Sequence, residues 1–391
     1  MTSDQQTHAH GDDDRVDRRA VRDVLDQLVR EGLLPSSDDA AARTALTTLE
    51  ASHMPWFLRL LIGFGAWAGA GFFLSFVLGL MALVLGKQFN TLAVGLGVLF
   101  IAGSIPLRRR MTASTVGALF GRQLALVTSF TGQMLFVGGL GDLFDSVTLA
   151  SAAVLAVSAL LIATFPDRVQ RFCSVAAAVG ALLTICFEMR LPHGVDAIAL
   201  GLIAGPLVLW RALPRAWATD MAEIVEPAVY ALMLWLFGLL LFHTFFDIIG
   251  LNPNAWFRMG PAVTIGLVVA LLWLVCAIFN EHGVSLGSLE VALACGVIVL
   301  LGYVTRTTPA IVATVLATLL GFDRHARALI ALAALFFIVF ASFYYYSLQL
   351  TLMQKSAVLM ASGAVCLAAA AFVRWRSVAL RPRIAAPQVA S

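Results

Sequence analysis

His243 and Asp247 stand four residues apart in the stretch LLLFHTFFDIIG, one turn of a helix, so both side chains leave the same face. A carboxylate beside an imidazole can pass a proton near neutral pH, because histidine changes charge there. Few other ionisable or strongly polar groups interrupt the apolar sequence. Arg122 and Gln123 open one apolar run and Gln133 sits in its middle, while Glu281 closes another beside Asn280 and His282. Glu188, Asp196 and Glu290 lie at further run ends, and Lys355 separates two runs. An ionisable group carried into a bilayer costs a few kcal/mol on insertion scales, so each poses a functional question. One use is a polar pocket or proton path, for which His243 with Asp247 is the first choice. The other use is structural: a helix-end charge reaching the headgroups, or a buried ion pair.

Enzyme chemistry lacks its usual residue patterns. There is no HExxH pair of zinc ligands, no GxxxxGK[ST] phosphate cradle and no GxSxG nucleophile elbow. The GLG at 95–97 and the GGLG at 138–141 fall inside apolar runs, where glycines serve helix packing or helix ends. The five cysteines, Cys173, Cys186, Cys276, Cys295 and Cys366, all lie in apolar runs with no CxxC spacing, and read as small buried hydrophobes. The expectation is therefore no catalytic residues, no cofactor and no metal.

The elements that position the polar groups are long apolar helices. From Leu60 to Gly86 the chain has no charge, and Ser75 is the only polar side chain. Those 27 residues make roughly 40 Å of helix against the ~30 Å hydrocarbon core of a bilayer. Hydrophobic residues are 60% of the chain and charged residues 13%, with a mean hydropathy of +0.89. Twelve such runs are expected: 60–86, 90–107, 119–140, 147–165, 172–188, 195–211, 227–247, 261–279, 287–304, 308–322, 327–346 and 355–374. The run at 308–322 is short for a span and reads as half-membrane or strongly buried. The fold class is thus all-α, a polytopic transmembrane helical bundle. The runs divide six and six around residues 212–226, which resemble a short interfacial helix. Gly65 and Gly69 form a GxxxG that allows close helix approach in the bundle.

Orientation follows from Lys and Arg in the connecting loops. With a cytoplasmic N-terminus, the inner loops and tail carry thirteen, including Arg108 to Arg110, Arg168, Arg171, Arg211, Arg324 and Arg327. The outer loops carry five: Lys87, Arg190, Arg258, Arg306 and Lys355. Both termini are therefore expected inside, with an even number of spans. A net charge of +3 without a basic stripe is too small to argue for nucleic acid, so no nucleic-acid partner is expected.

Residues 1–50 hold eleven of the 23 acids, so a small solvated segment precedes the membrane domain. Residues 1–13 read as a disordered tail. Residues 14–55 read as a cytoplasmic helical hairpin, with Gly32 and Pro35 ending the first helix. The membrane domain covers 56–375, and 376–391 form a basic cytoplasmic tail. No apolar h-region precedes residue 50, so the first span is expected to act as an uncleaved targeting signal.

Three stretches carry a family resemblance: PWFLRLLIGFGAW (55–67), GRQLALVTSFTGQMLFVGGL (121–140) and FYYYSLQLTLMQKSAVLMASG (343–363). With them the chain resembles the bacterial membrane proteins grouped as domain of unknown function 4401, related to the set numbered 2157. The resemblance implies a multi-pass protein of the bacterial inner membrane. It also implies a partner, a separate small membrane protein carrying a GDYxxLxY motif. It adds candidate functional polar residues in those segments: Arg122, Gln123, Gln133, Tyr345 and Lys355. Together with the lipid bilayer, this gives an expected role as a non-enzymatic component of a membrane complex. The alternative is a small-solute or ion transporter with a polar intramembrane cavity.

Overall fold

The computed structural model describes residues 56–86, 88–111, 116–212, 221–248, 259–285, 287–305 and 308–347, with scattered helical positions between 353 and 371. The expected tail at 1–13, hairpin at 14–55 and basic tail at 376–391 lie outside the described residues. So do Lys355, most of the run at 355–374, and residues 213–220 of the expected interfacial helix.

The described chain is helical, with no strand among the described residues. The helices are α1 (Trp56–Leu85), α2 (Gln88–Arg110), α3 (Val116–Phe144), α4 (Val147–Thr164), α5 (Arg168–Glu188) and α6 (Gly194–Leu207). After α6 a π-turn spans Val208–Ala212. Beyond it lie α7 (Ala222–Ile248), α8 (Pro261–Glu281), α9 (Leu289–Val304), α10 (Ala310–Asp323) and α11 (Arg327–Ser347). These match eleven of the expected runs in order. Where the ends shift, caps explain it. Asp167 accepts hydrogen bonds from the Val169 and Gln170 amides, so α5 starts early and takes Arg168 and Arg171 into its first turn. Ser146 caps α4 and Ser288 caps α9 in the same way, and Pro261 opens α8 where its missing N–H is harmless.

Among the described residues, eight helices are long and apolar enough to cross a membrane, from Gly63–Val84 to Pro261–Glu281. Three more, Leu289–Val304, Ala310–Asp323 and Arg327–Phe343, are apolar but shorter. Large apolar side chains cover the outside: Phe72, Leu83, Leu289 and Val297 are all exposed. In a soluble protein that much apolar surface would drive association, whereas lipid satisfies it.

The chain divides into two compact units. Among the described residues, one holds 56–86 with Phe100–Thr131; the other holds 88–99 with those from Gly132 onward. In the first, Ala70, Ile101, Ala125, Leu126 and Val127 are buried. In the second, α5 packs on α4 and α7, α6 on α7 and α8, and α10 on α8 and α11. Leu236, Phe237, Leu267, Leu271, Leu274, Leu316 and Leu320 form its sealed apolar core. Phe237 stacks on Phe336 with ring centroids 4.7 Å apart.

Two readings of the sequence gain detail here. Helices on both sides of the 212–226 segment share this one core, so the six-plus-six division is not a boundary between packing units. The short run became α10, about 21 Å long. Nine of its fourteen residues are buried, which is the strongly buried alternative expected for this run.

Among the described residues, no side chain or backbone packs closely on the GxxxG of α1. A Cβ added at Gly65 or Gly69 would meet no atom of the described residues within 4 Å. It is Gly97, of the GLG on α2, that makes a close approach: an added Cβ would lie 2.5 Å from the Phe136 nitrogen on α3.

Candidate functional site

The charged groups of the second unit gather at helix ends, not at mid-depth. At one end, the Arg211 guanidinium sits where the C-termini of α6, α8 and α10 meet. Its Nη1 donates to Glu281 Oε2 at 2.9 Å and to Asp323 Oδ1 at 2.9 Å and Oδ2 at 3.1 Å. The Arg324 Nε stands 3.4 Å from Asp323 Oδ2. The four formal charges cancel. Three helix C-termini and two carboxylates concentrate negative potential there, so a cation is the natural occupant. The burial is unequal: the side chains of Arg211 and Asp323 are 6% and 10% exposed, that of Glu281 50%. The Arg211–Asp323 pair is therefore the one that desolvation makes consequential.

Local sequence explains how Arg211 gets there. Pro206 lies inside the last turn of α6, and the chain continues as the π-turn Val208–Ala212. Such a turn inserts one residue into the helical ladder and rotates the residues beyond it about the helix axis. Arg211 is the penultimate residue of that turn, with its Nη2 buried and unpartnered among the described residues.

At the same end, the first turns of α5 and α7 face each other. Arg171, nearly buried, pairs with Glu223 at 3.4 Å, and Arg168 pairs with Glu226 at 3.3 Å. The two glutamates suit the positive end of α7, and they offset arginines placed at the positive end of α5.

At the opposite end, Asp196 in the first turn of α6 is buried. Its Oδ1 accepts the Gly260 amide of the α8 entry at 2.8 Å, and its Oδ2 lies 3.4 Å from His193 Nδ1. One carboxylate thereby pins the starts of α6 and α8.

The sequence candidates fall into this frame separately. Glu281 alone enters the Arg211 cluster. His243 is half-buried on α7, and Asp247 lies one turn on in the same helix. Arg122, Gln123 and Gln133 sit half-buried along α3, and Tyr345 half-buried near the end of α11. Arg122 Nε donates to the Met111 carbonyl at 2.8 Å, which fastens the first part of α3 to the residue that follows α2. Arg122→Ala is expected to lower the folded fraction on size exclusion, since a bond from a charged donor is worth about 1.5–3 kcal/mol. A normal folded level with a lost host phenotype would instead give Arg122 a functional role.

Sequence reasoning missed Arg211 as more than a loop arginine, and missed Asp323 altogether. Their proximity to run ends was visible; the partners of Arg211, 70 and 112 residues away, were not. It also missed that Cys276 on α8 and Cys295 on α9 bring their sulfurs to 4.0 Å. Among the described residues no group of three or more His, Cys, Asp or Glu is placed to hold a metal ion.

No curated protein and no solved structure matches this chain. One family model does, over residues 55–376, which takes in every helix described above. The apolar helices make the chain a multi-pass helical membrane protein, and the extent of that match means that it belongs to the family described as Domain of unknown function (DUF4401).

Proposed function

We propose that this chain is a non-enzymatic component of a bacterial inner-membrane complex, with twelve spans, both termini cytoplasmic and a separate small membrane protein as partner. The observation that carries the reading is the state of α1. Only 6% of its apolar window is buried within the protein, against 56% for the window in α7. That open helix carries Gly65 and Gly69, whose missing side chains leave room for a second helix to approach backbone to backbone. A span with little cover of its own and a small-residue pair suits helix-to-helix assembly. The sealed apolar core of the second unit agrees with a framework role. The orientation is supported by Arg168, Arg171, Arg211, Arg324 and Arg327 standing at one end of that unit, at the ends of α5, α6, α10 and α11.

The test is purification in mild detergent after cross-linking in native membranes. The wild-type chain is expected to retain a small subunit carrying the GDYxxLxY motif. The double variant Gly65→Leu, Gly69→Leu is expected to lose it while eluting as a folded species, because a Cβ added at either position meets no atom of the described residues within 4 Å. A wild-type chain that elutes alone, or a subunit retained by the variant, rejects the proposal.

The π-turn at Val208–Ala212, carrying a buried arginine, favours a second reading as a solute or ion transporter. That reading expects Asp323→Asn, at normal protein level, to abolish a phenotype that the α1 variant leaves intact.

A further inference from the structure

A groove of about 420 Å³ opens between the starts of α5, α7 and α11. Phe172, Pro227, Tyr230 and Ala328 give it apolar walls, and Arg168 and Glu226 stand over it. We infer that this groove binds one phospholipid with a zwitterionic, primary-ammonium headgroup of the phosphatidylethanolamine type. The acyl chain lies in the groove, the phosphate meets Arg168, and the ammonium meets Glu226.

Three observations lead there. The first is depth. All three helices begin at the groove, so it lies where apolar spans end and headgroups begin. The second is the wall, apolar enough for a hydrocarbon chain and open to the side rather than sealed. The third is charge. Arg168 and Glu226 are 3.3 Å apart and remain 65% and 44% exposed, so each keeps capacity for a second partner. A basic cluster would select an anionic lipid. A neutral pair of opposite charges instead matches a headgroup that carries both signs a few bonds apart. The guanidinium suits phosphate oxygens, and the carboxylate can accept the N–H groups of a primary ammonium. A quaternary ammonium has no N–H to offer Glu226.

The inference needs the chain to be a membrane protein but does not depend on the partner subunit proposed above. Failure of one leaves the other standing, because they use different helices and different readouts.

Native mass spectrometry of the purified full chain, titrated with lipids of identical acyl chains, tests it. Phosphatidylethanolamine is expected to bind about tenfold more tightly than phosphatidylcholine or phosphatidylglycerol, the value of one good charge-assisted hydrogen bond. Glu226→Gln should erase the preference for ethanolamine over choline. Arg168→Gln should weaken all three lipids. Ala328→Phe, which fills the groove and leaves both charges, should also weaken all three. An exposed ion pair contributes little to folding, so unchanged melting midpoints are expected to accompany these losses. Equal binding of the three headgroups overturns the inference, as does preference for phosphatidylglycerol. Retention of phosphatidylethanolamine by both Glu226→Gln and Ala328→Phe overturns it too.

Discussion

Replacing Arg211 with leucine is expected to destabilise the protein by about 3–5 kcal/mol, the cost of stranding one member of a buried ion pair. The group left behind is Asp323, which is 10% exposed and would lose the guanidinium that now reaches both its oxygens, keeping only the longer 3.4 Å approach of Arg324 Nε. Glu281 adds little to this cost. It is half exposed, so water takes over when Arg211 is gone, and Glu281→Gln should cost no more than ~1 kcal/mol. Asp323→Leu alone should be nearly as harmful as Arg211→Leu, because it leaves the buried cation with only the half-exposed Glu281. The double variant Arg211→Leu, Asp323→Leu should recover most of the loss, since two apolar side chains then replace two compensating charges. Thermal unfolding of the four variants in detergent checks all of this. A lone Arg211→Leu that melts like wild type would show that the pair is solvated and that the helix ends are held by packing alone.

Gly97→Ala is expected to be the most damaging single-methyl change among the described glycines. The new Cβ would lie 2.5 Å from the Phe136 nitrogen, 2.7 Å from the Gly132 carbonyl oxygen and 2.8 Å from the Phe136 Cα. All three are backbone atoms of α3, so no rotamer can give way. Either α2 or α3 must shift, and such overpacking costs about 1–3 kcal/mol. Gly95→Ala, two residues away on the same helix, is the control. Its Cβ would meet no atom of the described residues within 4 Å, and alanine is the better helix former. The folded fraction on size exclusion should fall for Gly97→Ala and hold for Gly95→Ala. Equal behaviour of the two would mean that α2 and α3 do not approach at Gly97.

These glycines show where sequence reading stops. Gly95 and Gly97 look alike in GLG, and the packing role expected for such glycines falls on Gly97. Gly65 and Gly69 carry the better-known spacing, yet they face no neighbour among the described residues. Spacing says which residues share a helix face; it does not say what lies opposite.

The apolar runs determined the class of the protein and most helix boundaries, because a bilayer demands uninterrupted apolar length and each helix satisfies its own backbone. Capping residues such as Asp167 and Ser288 refined those boundaries locally. Tertiary structure decided which charges meet. Arg211 finds Glu281 and Asp323, and Asp196 finds the Gly260 amide, through contacts 64 to 112 residues apart. Burial then sorted these pairs into consequential and incidental ones. Helix formation depends on neighbours along the chain, whereas the worth of a charge depends on how much water the folded surroundings leave it.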